Sequence, residues 1–216
     1  MERRAVLKNM GLAMGAAVAT PTLLSILQSC QGETGPVFTP VFFSQEEGDV
    51  LLKTVDIILP KTDTPSASEL QVHAFIDKYM DEVVPLEEQE MLRMGMGAFV
   101  SSILEASGKE SAADIETADI EPVLAEALVK LDEEEEMAMN EAMMAYFQAM
   151  EAGEEATLDD KIASRGFAQN MRGAAIWAYK SSEYIGEEVL AYLPVPGEYV
   201  PCGDVDELTG GKAWSI

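Results

Sequence analysis

Apolar residues recur every three or four positions through most of this chain, and a proline or glycine closes several of the stretches. That spacing gathers side chains on one face of an α-helix, whereas a half-buried strand needs strict alternation. No run alternates convincingly, so the pattern points to an all-α protein. Ser44 and Glu47 have capping-box spacing, Leu51, Val55, Ile58 and Leu59 follow at helical period, and Pro60 ends the element. Residues 61–66 form a turn rich in Asp, Thr and Pro. Ser68 and Gln71 open a second helix with Val72, Phe75, Ile76, Tyr79 and Val83 as its expected apolar face and Pro85 as its stop. Residues 87–106 read as a third helix ended by Gly108; Gly95 and Gly97 inside it either weaken it or admit a neighbouring backbone.

Residues 109–121 are polar and acidic, the segment expected to be mobile within the body. Asp119 is placed to cap a helix carrying Leu124, Leu128 and Leu131. Another, 133–151, aligns Met139, Met143, Tyr146, Phe147 and Met150 and stops at Gly153. Thr157 and Asp160 begin the longest periodic stretch, which holds Ile162, Phe167, Met171, Ala174 and Trp177. A short helix over 187–193 follows, and 194–216 shows no period. The expectation is a single-domain, irregular bundle of about six helices with a long non-helical C-terminal tail. Tyr199 and Trp214 are large aromatics of the kind usually buried, so the tail is expected to wrap over the body or over a neighbour.

The N-terminus reads differently. Arg3, Arg4 and Lys8 precede a stretch to Leu27 that is apolar, small and without charge, the anatomy of an export signal. The paired arginines resemble a twin-arginine signal, which carries proteins out already folded, usually because they hold a cofactor or travel with a partner that does. Leu27-Gln28-Ser29-Cys30 resembles a lipobox, with cleavage before Cys30 and a lipid on its sulfur. The alternative is an uncleaved membrane-spanning anchor. The expected division is a signal over 1–29, a tether over 30–43 and a helical domain over 44–216.

The whole chain carries a net charge of −25. The signal holds three bases and one acid, so the remainder is two charges more negative still. Such a chain repels nucleic-acid phosphates and suits a basic or neutral partner. With Cys30 lipidated, Cys202 is the sole remaining thiol, so it is buried, free, or bridged to another subunit.

The residues offer no cofactor site. Gly95-Met96-Gly97 is only a GxG inside a helical pattern, whereas a dinucleotide fingerprint needs a strand-to-helix turn with three glycines. No CxxC supports an iron–sulfur cluster or attached haem. His73 is the only histidine, which removes a di-iron site built on two Glu-x-x-His motifs, and it reads as a structural or surface imidazole. The acids 132–136 point in different directions around a helix and favour its dipole rather than one metal. Asp204-Val205-Asp206-Glu207 lacks calcium-loop spacing. Most of the thirteen methionines fall at apolar helical positions, as core or as an adaptable docking surface.

Ile57-Ile58-Leu59-Pro60-Lys61-Thr62-Asp63-Thr64-Pro65-Ser66-Ala67, then Phe75-Ile76-Asp77, resembles the pattern I-I-P-x-T-D-T-P-G-A and F-I-D of the gluconate 2-dehydrogenase subunit 3 family. Ser66 stands where that pattern has glycine. Tyr179-Lys180-Ser181-Ser182, Gly186, Tyr192, Pro196-Gly197-Glu198-Tyr199, Cys202 and Trp214 agree in order, so the resemblance spans about 44–214. It implies a non-catalytic small subunit with no cofactor of its own. Its partner would be a large FAD-dependent dehydrogenase of the glucose–methanol–choline type. Such a complex oxidises sugars, sugar acids or polyols in the periplasm and passes electrons to a cytochrome c, here beside a lipid-anchored small subunit that escorts the folded flavoprotein out. The residues then expected at the partner interface are Pro60, Thr62, Asp63, Pro65, Arg172, Tyr179, Tyr199 and Trp214, with Cys202 as a possible intersubunit disulfide. Two other readings stay open. One is a stand-alone surface lipoprotein binding carbohydrate or protein; the other is an enzyme using a carboxylate pair on a sugar.

Overall fold

The computed structural model describes residues 38–154, 156–195, 197 and 202–215. Six helices of more than ten residues make up the body: α1 (Gln45–Ile58), α2 (Val72–Glu82), α3 (Leu86–Ser107), α4 (Thr117–Leu128), α5 (Glu133–Glu151) and α6 (Asp160–Lys180). A π-helix (Tyr184–Val189) and the short α7 (Val205–Thr209) follow, and no strand occurs among the described residues. The protein is all-α, as its periodicity requires.

Local chemistry sets the boundaries. The Ser44 hydroxyl accepts from the Glu47 amide at 3.2 Å and the Glu47 carboxylate accepts from the Ser44 amide at 2.9 Å. Two of the amides left over at the helix start are thereby satisfied. Asp132 and Glu135 do the same for α5. Gly108 ends α3 in the left-handed conformation, φ 70°, which costs glycine nothing.

The core is centred on α3 against α6, with α1, α2 and α4 packed around that pair. Leu51, Met96, Phe99, Ile103, Ile120 and Met171 are fully buried. Gly95 makes the central contact possible: a Cβ there would stand 3.0 Å from Phe167 Cβ and 3.4 Å from the Ala163 carbonyl oxygen. The two glycines of α3 therefore differ, because nothing lies within 4 Å of a Cβ at Gly97.

Five expectations change. Segment 109–121 is pinned rather than loose. Ile115 is buried in it, Lys53 donates to the Ile115 carbonyl, and Lys109 reaches both the Asp114 carbonyl and the Asp119 carboxylate at 2.6 Å. Asp119 is not the N-cap of α4; Glu116 is, and Asp119 closes the box from the third position, its carboxylate accepting from the Glu116 amide at 2.7 Å. The face aligned along α5 is not fully core: Met139, Met143 and Tyr146 are half-buried, while Phe147 and Met150 are exposed. The described part of the tail is not wholly non-helical, since it holds the helical turn α7. It returns to the π-helix segment, where Ala191 and Ser215 exchange backbone bonds at 2.9 Å with Ala213 and Ala191 across an isolated parallel bridge. The short helix expected over 187–193 forms earlier, over Tyr184–Val189, as a π-helix.

Candidate partner interface

The turn between α1 and α2 is held from four sides. The Ala67 amide donates to the Leu59 carbonyl and the Thr62 amide to the Thr64 carbonyl, both at 3.0 Å, closing the backbone around residues 60–66. Asp56, one turn from the end of α1, accepts from the Ser68 amide at 2.7 Å and the Ser68 hydroxyl at 2.6 Å. Glu69 accepts from the Ser66 amide at 2.9 Å and pairs with Lys61 at 2.6 Å; those two bonds hold its carboxyl below the usual range. From the far end of the chain, the Tyr179 hydroxyl donates to the Pro65 carbonyl at 2.8 Å and sits 2.8 Å from the Thr64 hydroxyl, whose proton it accepts. Ser66 is buried without a positive φ, so this turn makes no demand for glycine.

The consequence is a preformed, outward-facing loop. Pro60, Thr62 and Asp63 are exposed, while Pro65 is half-buried against the body. A loop whose backbone is fixed in advance loses little entropy when a partner closes over it.

Asp77 is a residue whose role the sequence conceals. Within α2 it is 1% exposed, and its carboxylate accepts from three successive amides, Val41 at 2.7 Å, Phe42 at 3.2 Å and Phe43 at 3.0 Å. It fastens the lead-in to α1, in which Phe42 and Phe43 are buried. Arg93 adds a lock by donating to the Phe42 carbonyl, its guanidinium 3.8 Å from the centre of the Phe42 ring. His73, one turn earlier on α2, is also buried; desolvation pushes its imidazole below the ordinary value, against the opposing pull of Asp56 and Asp77.

The apolar arc of α2 splits in two. Val72, Ile76 and Met80 enter the core, but Phe75, Tyr79 and Val83 remain 45, 37 and 59% exposed. Phe75 and Tyr79 meet Trp177 of α6, itself 43% exposed, with ring centres 5.4 and 5.2 Å apart. The arc is wider than the face the core covers, and that width was the only sequence signal of this platform. Trp177 and Tyr179 are two residues apart, so a 100° step per residue sends them to opposite flanks of α6. The platform and the 60–66 loop therefore belong to different flanks of one helix.

The other expected interface residues are not all gathered. Arg172 is exposed two turns before Tyr179 and on its flank, and it makes no ion pair among the described residues. Trp214 is 48% exposed beside its backbone bridge to Ala191, against the expectation of burial. The Cys202 thiol is exposed. Tyr199, Arg3, Arg4, Lys8 and Cys30 lie outside the described residues. Among the described residues no group of three His, Cys, Asp or Glu side chains is placed to hold a metal.

The fold and this surface define an all-helical protein whose most heavily braced residues hold up an outward-facing loop. The model of the family described as gluconate 2-dehydrogenase subunit 3 matches residues 45–197, and the chain belongs to that family. Membership implies a subunit of a dehydrogenase complex. The match takes in the loop, the platform, Arg172 and Tyr179 and stops before Cys202 and Trp214, short of the reach expected from the sequence. No curated protein and no solved structure matches the chain.

Proposed function

We propose that this chain is the non-catalytic small subunit of a periplasmic FAD-dependent sugar or sugar-acid dehydrogenase. It escorts the folded flavoprotein subunit through twin-arginine export and stabilises it afterwards. The observation that carries the reading is the braced loop: Tyr179 reaches across more than a hundred residues to fix Thr64 and Pro65, leaving Pro60, Thr62 and Asp63 presented. A core needs no such loop, but a partner surface does. The flavin resides in the large subunit, which hands electrons to a cytochrome c. Arg3, Arg4 and Lys8 carry the export signal, and lipidation at Cys30 holds the complex to a membrane.

The test is export of the pair. With both Arg3 and Arg4 replaced by Lys, the flavoprotein and this chain are expected to stay together in the cytoplasm. A flavoprotein still exported normally beside that variant overturns the escort role.

A further inference from the structure

The platform of Phe75, Tyr79 and Trp177 is one end of a longer feature. Beside it, at the α2–α3 turn, opens a furrow of about 310 Å³ lined by Tyr79, Val83, Met91, Ala174 and Trp177. A second hollow of about 220 Å³ shares Met91, Leu92 and Asn170 with the first and continues between α3 and α6 to Met143 of α5. The two make one apolar trough along the α3–α6 pair. Its edge is acidic. Glu88 lines it, exposed and without an ion pair among the described residues, on a chain that holds 39 acids against 14 bases. Of the nearby bases, Lys78 is paired with Glu82 at 3.7 Å and Arg93 is engaged by Phe42.

A single exposed aromatic is ordinary on a folded protein; three in mutual contact at the mouth of an apolar trough are not. Rigid aromatics around a desolvated pocket are what interface hot spots are made of. The acidic edge selects the occupant by charge, repelling acidic chains and attracting basic ones.

We propose that this trough receives an apolar segment flanked by lysine or arginine from the large dehydrogenase subunit. This rests on the escort reading and adds to it a second docking surface, on the flank of α6 away from the 60–66 loop. The loop fixes the partner's orientation, while the trough supplies apolar area and the charge match.

The full chain, tagged and co-expressed with its flavoprotein, provides the test. Glu88→Lys changes an exposed position, and Tyr79→Ser with Trp177→Ser removes the platform. Each is expected to cut the flavoprotein recovered, measured by bound flavin absorbance, about tenfold, or ~1.4 kcal/mol. Raised salt is expected to weaken the wild-type complex and to affect the Glu88→Lys complex less. A photo-crosslinker at Val83 should attach to a flavoprotein peptide rich in apolar residues and bearing lysine or arginine. Full recovery of flavin with both variants overturns the trough while leaving the escort reading intact. A wild-type chain that brings down no flavoprotein overturns both. If the trough variants instead convert a dimer of the isolated chain to monomer, the occupant is a second copy and the proposal fails. Glu88→Lys keeps the test decisive if the double variant does not fold.

Discussion

Asp77 governs more of this protein than any other single side chain. Three backbone amides converge on one buried carboxylate, and they have no other acceptor among the described residues. Asp77→Ala leaves the amides of buried Phe42 and Phe43 unpaired and takes the charge-assisted partner from that of exposed Val41, which is expected to cost about 3 kcal/mol in urea unfolding. Fast hydrogen exchange at Val41, Phe42 and Phe43 should accompany the loss; unchanged protection there would show that the clamp is not holding the lead-in. Tyr179→Phe is a smaller change. It removes a hydroxyl between Thr64 and Pro65 and is expected to cost about 1 kcal/mol, with weaker capture of the flavoprotein because the loop is freed. The sequence displayed both residues within recognisable motifs but hid what they do. Their partners lie 34 to 115 residues away, and no periodicity encodes a contact at that range.

Among the helices, boundaries were legible and partnerships were not. Capping boxes are local, so Ser44 with Glu47 announced the start of α1, and glycine announced the stop of α3. Which apolar stripe goes inward depends on what stands opposite. That is why the aligned face of α5 is only half covered and the outer stripe of α2 stands open. Segment 109–121 misled for a related reason: Lys53 and Lys109 engage its Ile115 carbonyl and Asp119 carboxylate, and within so polar a run only Ile115 and Ile120 betray the burial. The two glycines of α3 give a paired prediction. Gly97→Ala meets open space and is expected to add about 0.5–1 kcal/mol through helix propensity. Gly95→Ala gains the same propensity but drives a methyl to 3.0 Å from Phe167 Cβ, and is expected to lose about 1–2 kcal/mol net as α3 and α6 are forced apart. Thermal unfolding that shifts both variants in the same direction would show that close helix approach is not what Gly95 provides.

At the scale of the whole molecule the acid excess sets the background against which one group titrates. The chain has 39 carboxylates and a single histidine. His73 is the side chain whose ordinary value falls between about pH 5 and pH 8, so it is the group to follow on mild acidification. Burial holds the folded imidazole below 6.5, while in the unfolded chain it titrates near that value. As the pH drops below about 6.5, the unfolded state takes up the proton first, so stability is full above that pH and declines as pH falls toward the folded value. Asp56 and Asp77 pull the other way and shrink the decline without reversing it. Glu69 and Asp119, held low by Lys61 and Lys109, lose their contribution only further down, as pH falls through their own depressed values. Urea unfolding at pH 7.5 and 5.5, at fixed high salt to screen the surface charge, is therefore expected to give a lower midpoint at the acid pH. His73→Gln should remove that difference, whatever it does to stability at pH 7.5. Equal wild-type midpoints, or a difference that survives in His73→Gln, would mean that the imidazole is not kept neutral beneath α2 and that some other part of the acidic surface responds.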